Sequence, residues 1–390
     1  MKILFLIRSF EIGGAERQMA LLASALKNQG HNIMILSYYP GGAITKELLD
    51  KGLEVVSLGK KSRWDVIGFL CNFIRKVRDH RPQILYSFMT TSNLLSLLPS
   101  IFMPNLKIIW GIRASNMDLD QYDKLSKMTF WLEKKLSFFP NRIIANSDAG
   151  KTYITKMGFS DEKIAVIANG IDTERFFSDD AKRKKMRDVW QVKENEILIG
   201  MVARIDPMKD YATFFKMAAI LSQKKKNFRF LAMGSSNGSG NKEYQVTLKL
   251  LLNELNLQDT LLWVEEQLEV TEVYNALDIF CLSSAFGEGF SNVLAEAMAC
   301  GIPCVATEVG DAGKIVGELG AIVPIKDPEK MAKACLSLLE KEINKTSLRQ
   351  RILDHFSVAT MVNSTERILN EVLINSGKTV AEKPCQKNND

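Results

Sequence analysis

The sequence is poor in cysteine and histidine, with six Cys and three His among 390 residues. It contains no Cys-x-x-Cys pair, and only Cys300 and Cys304 lie close together. Neither a disulfide framework nor a zinc site is therefore indicated, and scattered thiols are typical of proteins in a reducing cytosol.

Long apolar runs are also lacking. No stretch reaches the roughly 18 apolar residues of a membrane span, and the best candidate, residues 94–103, is interrupted by Pro99. The first eight residues are too short for the apolar region of a signal peptide and lack a small-residue cleavage site, so they predict a strand. These absences favour a cytoplasmic protein.

The basic residues are concentrated in the first half of the chain. Residues 1–172 carry 23 Lys and Arg against 15 Asp and Glu, whereas the remainder carries 28 against 30. This asymmetry predicts an anionic partner for the first half, either a membrane surface or an acidic substrate, and we expect no nucleic-acid partner.

Short apolar strands alternate with amphipathic helices along the whole chain. This alternation predicts an α/β fold with two parallel, doubly wound sheets, and the length suits two domains of roughly 170 to 200 residues each. We expect domains at 1–175 and 186–355, a final helix at 356–374 that crosses back to the first domain, and a polar, disordered tail at 375–390. The predicted strands are 2–7, 32–37, 54–58, 83–86, 107–110, 142–146 and 163–167, then 196–203, 228–233, 261–265, 278–282 and 302–306.

Residues 284–306 contain a loop, a helix and a strand in one segment. Ser291 or Asn292 can cap the helix, and Gly301 ends it. Glu288 lies in the loop before this helix, and Glu296 is expected to face outward from its second turn. A glycine-rich loop at a helix N-terminus favours a phosphate, and the two carboxylates can accept hydrogen bonds from sugar hydroxyls. The alternative is that both glutamates are solvated surface residues.

Arg204 and Lys209 follow the predicted strand 196–203, and Asp210 is a plausible cap for the next helix. Ligands of open α/β sheets bind beyond the carboxyl ends of the strands, and two cations converging there suit a diphosphate. A structural Arg beside a surface Lys is the alternative.

The run from Glu288-Gly289-Phe290 through Glu296-Ala297-Met298-Ala299-Cys300-Gly301-Ile302-Pro303 resembles the Glu-x7-Glu signature of the retaining glycosyltransferases of family 4, also called group 1. The resemblance implies the GT-B fold, in which two Rossmann-like domains face each other across a cleft. It also implies transfer of a sugar from a nucleotide-sugar donor with retention at the anomeric carbon.

The resemblance carries site roles to individual residues. Arg204 and Lys209 match the family's Arg-x4-Lys clamp on the diphosphate, which makes a metal ion or other cofactor unnecessary. Glu288 is then expected to contact the hydroxyls of the donor sugar, and Glu296 the ribose. The remaining donor contacts are assigned to Gly14, in a Gly-Gly loop that otherwise reads as a tight turn, and to the amides around Phe290, Ser291 and Asn292.

Three departures from the family pattern concern the acceptor side and the donor loop. Family members often carry a His after the strand that ends near Trp110, and here Arg113 is the candidate to contact sugar or phosphate; an Arg tied into a local turn is the alternative. Asn169 is not a departure, because with Gly170 and Asp172 it resembles the family's hinge-side Asn-Gly-x-Asp motif. Asp311 and Lys314 depart from the family's Gly-Gly-x-x-Glu segment. Without a histidine base, front-face attack is favoured, in which the departing phosphate takes the acceptor proton.

Residues 60–81 combine an apolar stripe with a basic rim. The stripe predicts a helix packed on the sheet, because every helix of a doubly wound fold needs such a face. The rim remains available to an anionic membrane, so we expect reversible attachment to the inner face of the cytoplasmic membrane. The stripe is Trp64, Ile67, Leu70, Cys71, Ile74 and Val77, and the rim is Lys60, Lys61, Arg63, Arg75, Lys76, Arg78 and Arg81.

The sequence thus predicts a metal-independent, retaining glycosyltransferase that uses a UDP- or GDP-linked sugar. A glycan or lipid-linked acceptor in cell-surface polysaccharide or lipopolysaccharide biosynthesis is consistent with the basic first half. Two alternatives stay open: a nucleotide-sugar epimerase or hydrolase of similar architecture, and a non-catalytic scaffold for a partner glycosyltransferase.

Overall fold

A computed structural model describes residues 1–11, 13–62, 64–113, 124–224, 227–235, 241–264 and 269–378. Some of the sequence-based expectations therefore lie outside the described residues: Arg63, the loop after Arg113, the last residue of the predicted strand 261–265 and the tail from 379 onward.

The first sheet has seven parallel strands in the order β3-β2-β1-β4-β5-β6-β7. Its helices connect successive strands, and the strand order reverses direction beside β1. The strands are β1 (Lys2–Ile7), β2 (Asn32–Ser37), β3 (Glu54–Ser57), β4 (Ile84–Phe88), β5 (Lys107–Ile112), β6 (Arg142–Ala145) and β7 (Ile164–Val166), and the helices are α1 (Gly14–Asn28), α2 (Ala43–Asp50), α3 (Ile67–His80), α4 (Thr90–Ser96), α5 (Lys124–Leu136) and α6 (Asp148–Lys156).

The second sheet has six parallel strands in the order β10-β9-β8-β11-β12-β13, with the reversal beside β8. Its strands are β8 (Ile197–Val202), β9 (Phe228–Met233), β10 (Leu261–Val264), β11 (Ile279–Leu282), β12 (Cys304–Thr307) and β13 (Ala321–Val323). Its helices are α7 (Asp180–Val189), α8 (Tyr211–Lys224), α9 (Asn241–Glu254), α10 (Val270–Ala276), α11 (Asn292–Ala299), α12 (Ala312–Val316), α13 (Pro328–Glu340) and α14 (Lys345–Phe356). The prediction of two doubly wound parallel sheets is confirmed.

Both sheets are covered on both faces, which explains why their strands are almost continuously apolar. In the first domain, α1 and α2 cover one face, and α3 to α6 cover the other. The last helix, α15 (Val358–Lys378), packs against α1 and contributes Met361, Leu369 and Val372 to the core of the first domain. The chain therefore crosses between the domains twice.

The two crossings lie side by side. Ile171 and Ser357 form a parallel bridge. The amide of Ile171 donates to the carbonyl of Phe356 at 2.7 Å, and the amide of Val358 donates to the carbonyl of Ile171 at 3.2 Å. In addition, Gln18 of α1 bonds both the carbonyl and the amide of Gly170, at 2.9 and 3.0 Å. The linker is thus held to α15 and to the first domain.

The prediction for residues 60–81 was right only in part: Val77 is buried, and Leu70 and Ile74 pack against the core as predicted. The helix begins only at Ile67, and Phe69, Phe73 and Val77 are the apolar residues that it buries against the sheet. Trp64 and Ile67 are instead 85% and 80% exposed, and Cys71 is exposed too. The i, i+4 series that starts at Phe69 faces inward because two Phe side chains bury more apolar area there. Within the described residues, no helix has the length and apolar character needed to cross a membrane.

Candidate functional site

The candidate site lies where the carboxyl ends of the two sheets face each other. Gly14 follows β1, Arg113 follows β5 and Asn169 follows β7 on one side, while the loops after β8 and β11 supply the other side. A direct hydrogen bond joins the two sides, from Nδ2 of Asn169 to Oδ1 of Asn292 at 2.8 Å. Both strand-order reversals open onto this cleft, the usual ligand position in such sheets.

Lys209 and Glu288 form a buried ion pair in this cleft. Lys209 ends the short turn Pro207–Lys209 between β8 and α8, and the hydroxyl of Ser284 donates to Oε1 of Glu288 at 2.7 Å. Burial by itself raises the pKa of Glu288, but the charge and hydrogen bond of Lys209, together with Ser284 and Arg204, outweigh it and hold that pKa below its ordinary value. Glu288 is therefore a carboxylate held beside two cations.

Arg204 is exposed in the loop that follows β8, and its charge acts on Glu16 of α1 as well as on Glu288. It therefore presents a positive charge between the two domains. Both cations act on Glu288, and Lys209 is paired with it directly.

Glu296 was expected to face outward, and this expectation was wrong. Glu288 and Glu296 are each only 8% exposed, so neither is a solvated surface residue. The hydroxyl of Tyr274 donates to Oε2 of Glu296 at 2.8 Å. Burial raises the pKa of Glu296, and the Tyr274 hydrogen bond and the charge of Arg17 act in the opposite direction. The second turn of α11 is covered because α10, α12 and α14 all pack against this short helix.

The N-terminus of α11 has no side-chain cap. Ser291 occupies the capping position but makes no capping hydrogen bond, and its hydroxyl is buried without a partner among the described residues. The prediction that Ser291 or Asn292 caps this helix was therefore wrong. Phe290 is buried against Phe356, with ring centroids 5.3 Å apart, which fixes the loop that leads into the helix. An uncapped N-terminus beside two cations suits an anionic ligand.

Gly14 approaches this N-terminus from the first domain. A Cβ added to Gly14 would lie 3.5 Å from Nδ2 of Asn292. The Gly-Gly loop and the N-terminus of α11 therefore face each other directly.

Arg113 is not tied into a local turn, because its partners are distant in sequence. Its guanidinium donates to Oδ1 of Asn169 at 3.1 Å and to the hydroxyl of Tyr86 at 3.5 Å, and it lies 4.1 Å from the ring centre of Phe88. Burial lowers the pKa of Arg113. A hydrogen-bonded chain thus runs from the first core through Arg113 and Asn169 to Asn292.

The sequence analysis did not identify three hydroxyl groups that form hydrogen bonds with the candidate site residues. These are Tyr274 with Glu296, Ser284 with Glu288 and Tyr86 with Arg113. No spacing pattern connects these side chains to their partners, and only the tertiary structure brings them together. In the part of the chain that the structure describes, no cluster of three or more His, Cys, Asp or Glu side chains could hold a metal ion.

Two family profiles match almost the whole chain between them. The profile described as "Glycosyltransferase Family 4" matches residues 12–175, and the one described as "Glycosyl transferases group 1" matches residues 182–353. Among curated proteins, D-inositol 3-phosphate glycosyltransferase 2 of Catenulispora acidiphila is 28% identical over 224 residues, covering 55% of this chain and 52% of the relative. D-inositol 3-phosphate glycosyltransferase of Rhodococcus erythropolis is 30% identical over 205 residues, covering 51% and 46%. The chain thus spans about half the length of these curated relatives.

Solved structures share the fold over nearly the full length. Anabaena Alr3699/HepE in complex with UDP and glucose superposes with a TM-score of 0.83 at 20% identity, covering 95% of this chain and 99% of that one. Sucrose-phosphate synthase from Thermosynechococcus elongatus superposes with a TM-score of 0.79 at 17% identity, covering 96% and 99%. At these identities the likeness establishes the two-domain GT-B architecture.

Proposed function

Since the chain belongs to the glycosyltransferases of family 4, or group 1, we propose that it transfers a sugar from a nucleotide-sugar donor to a glycan or lipid-linked acceptor. The observation that carries this proposal is the buried Lys209–Glu288 pair beside Arg204 and the uncapped N-terminus of α11. This arrangement combines fixed cations for a diphosphate with a carboxylate for hydroxyl groups.

The donor is assigned to the second domain. Arg204 and Lys209 stabilise the charge that develops on the β-phosphate, and the loss of one such preorganised contact reduces the rate by about 10² to 10³. Glu288 accepts hydrogen bonds from the sugar, Glu296 accepts them from the ribose, and the first amides of α11 bind phosphate. The HepE structure contains UDP and glucose, which makes a UDP-sugar the first donor to test, followed by a GDP-sugar.

We propose a retaining, front-face reaction without a metal ion. The bond from the anomeric carbon to the phosphate oxygen breaks, the acceptor oxygen attacks from the same face, and its proton passes to the departing phosphate. Arg113 follows β5, where the resemblance leads us to expect a His, and it is assigned with its hydrogen-bond partner Asn169 to the acceptor or sugar side. Trapping of a covalent glycosyl-enzyme on Glu288 would contradict this mechanism.

The acceptor is assigned to the basic first domain. The curated relatives are named D-inositol 3-phosphate glycosyltransferases, so a phosphorylated polyol joins lipid-linked and cell-surface glycan acceptors as a class to test. A role in polysaccharide or lipopolysaccharide biosynthesis follows if a lipid-linked glycan is the acceptor.

Peripheral attachment to the inner face of the cytoplasmic membrane belongs to the same proposal. The exposed Trp64 and Ile67 lie at the start of α3, whose Arg75 and Arg78 face solvent. On the same side of the sheet, the outer face of α5 exposes Met128 and Trp131 among lysines. Cosedimentation with anionic vesicles at low salt tests this surface: binding is expected for the wild type, and binding that persists in Trp64→Ser/Ile67→Ser with unchanged salt dependence counts against it.

The first experiment is thermal stabilisation by UDP, GDP and ADP in the presence of EDTA. A ligand at 100 times its Kd adds about 2.7 kcal/mol to stability. We expect one nucleotide to stabilise the wild type and the control Lys216→Ala, whose side chain is exposed on α8, but not Arg204→Ala/Lys209→Ala. A shift that needs added Mg²⁺ would refute metal independence, and the absence of any shift would refute the donor site.

Turnover then separates the proposed activity from its alternatives. A transferase consumes donor only when an acceptor is present, whereas a hydrolase or epimerase consumes it alone. A scaffold binds without consuming donor under either condition.

A further inference from the structure

The side chain of Asp311, in the second domain, accepts hydrogen bonds from the first domain. It precedes α12 in the second domain, and its two carboxylate oxygens accept the backbone amides of Asp148 and Ala149, each at 2.9 Å. These amides belong to the first turn of α6 in the first domain, where the next amide, that of Gly150, is capped by Ser147 at 2.9 Å. A helix N-terminus of one domain is thus completed by a carboxylate of the other.

The backbone of Asp311 also holds the loop that carries Glu288 and Gly289. Its amide donates to the carbonyl of Gly289 at 3.0 Å. The preceding Gly310 has φ +61°, and an added Cβ would lie 2.5 Å from the carbonyl oxygens of both Glu288 and Gly289. The loop that carries Glu288 is therefore packed directly on the segment whose side chain bonds α6.

Gly289 itself packs against the first domain. A Cβ added there would lie 2.9 Å from Oδ1 of Asn146 and 3.1 Å from Oγ of Ser147. Lys314, one turn after Asp311, adds an ion pair to the side chain of Asp148. Because both of these side chains are 56% exposed, this pair is screened by solvent and contributes little.

We propose that Asp311 is a positioning residue for the reaction: it fixes the Glu288 loop against α6 and so holds the two halves of the site in register when the cleft is closed. The proposal rests on the proposed transferase function, because only a reaction between groups from both domains needs this register. Opening of the cleft breaks both hydrogen bonds to the carboxylate, so its charge biases the equilibrium toward the closed form.

Asp311→Asn and Asp311→Ala weaken the contact between Asp311 and α6 in two steps. Asn keeps the size of Asp, but its single carbonyl oxygen can accept at most one of the two bonds in the same geometry, and Ala accepts none. Glu308→Gln is the matched charge control, because Glu308 is exposed in the same segment and its side chain has no bond to the first domain among the described residues. Ser147→Ala is the second control, since it removes the capping hydrogen bond to Gly150 within α6 and leaves in place both amides that Asp311 accepts.

Hydrogen exchange and small-angle scattering measure the contact without turnover. In Asp311→Ala we expect the amides of Asp148 and Ala149 to exchange about tenfold faster, in line with the usual loss of an N-terminal cap, and the radius of gyration to increase. Asp311→Asn should fall between Asp311→Ala and the wild type, and Glu308→Gln should match the wild type. Unchanged exchange at these two amides in both Asp311 variants would overturn the proposal.

Kinetics with the transferred sugar give the second readout. We expect kcat to fall about tenfold in Asp311→Asn while the Kd for the nucleoside diphosphate changes less than twofold, because the second domain holds most of the nucleotide. If Ser147→Ala lowers kcat as much, helix capping alone explains the effect and the proposal fails. If the chain proves to be no transferase, exchange and scattering still report the contact, so the two failures are distinguishable.

Discussion

Replacement of Lys209 by Met isolates the buried ion pair of the site. In the wild type, the side chains of Lys209 and Glu288 are 12% and 9% exposed and pair directly. Lys209→Met keeps a similar shape but removes the charge, so the buried Glu288 loses its directly paired cation, while the Ser284 hydroxyl and the more distant charge of Arg204 stay beside it.

The expected loss of stability is about 3 kcal/mol. Removal of one partner of a buried pair typically costs about 3 to 5 kcal/mol, and the remaining contacts of Ser284 and Arg204 place this case at the lower end. For a domain of roughly this size, each kcal/mol lowers Tm by about 2 to 4 °C, so the transition of the second domain should shift downward by about 6 to 12 °C.

The effect of Glu288 on the pH dependence of stability should also reverse in Lys209→Met. The pKa of Glu288 lies below its ordinary value in the folded wild type, so its contribution to stability is present above the unfolded pKa of about 4.3 and is lost as pH falls through the folded pKa. In Lys209→Met the dominant remaining influence is burial, which raises that pKa. The variant should therefore lose stability as pH rises from 5 to 8.

Urea unfolding of the wild type, Lys209→Met, Glu288→Gln and the double variant at pH 5 and 8 completes the test. The double variant should be more stable than Lys209→Met, since it no longer buries the carboxylate charge. A loss below about 1 kcal/mol in Lys209→Met, or a double variant no more stable than it, would refute the assignment of a tightly coupled buried pair.

Three further predictions concern other positions in the structure. Tyr274→Phe removes a hydrogen bond that lowers the pKa of Glu296, so nucleotide affinity measured by calorimetry should be lost at a higher pH than in the wild type as pH is lowered from 8 to 5. Gly310→Ala should destabilise the chain by several kcal/mol, because the new Cβ meets two backbone oxygens. Gly59→Ala, with φ +68° and open space around it, should cost only about 1 kcal/mol in the same urea titration. Burial raises the pKa of Glu133 to about 7 against the hydrogen bonds of Asn93 and Thr90. The unfolded chain therefore releases this proton first, and up to about 3 kcal/mol of stability should be lost between pH 4.5 and 8 in the wild type but not in Glu133→Gln.

The strands were predictable because each is a continuous apolar run that a doubly wound sheet buries on both faces. Lys2–Ile7, Asn32–Ser37 and Phe228–Met233 have the predicted bounds, and the ends of the other predicted strands differ by at most two residues. The loops after β8 and β11 were predictable for the same reason, since the end of a parallel strand fixes which edge of the sheet its loop occupies.

Contacts made by distant elements were not predictable. Glu296 lies on the side of α11 that spacing assigns to solvent, and it is buried only because α10, α12 and α14 close around a helix of eight residues. The sequence also did not show that α3 turns Phe69 and Phe73 toward the sheet and leaves Ile67 exposed. The role of Asp311 depends on α6, which lies more than 160 residues away in sequence.

The paired crossings at Ile171 and Ser357 restrict how the two domains move. With a single linker, one domain could twist relative to the other about the linker axis. Two linkers that are hydrogen-bonded side by side resist this twist, so bending at the linkers remains the easiest motion. Opening and closing should then follow one reproducible arc. Each closure should then bring Asn292 back to Asn169 and Asp311 back to α6. The paired linkers would thus align the two domains before these contacts form.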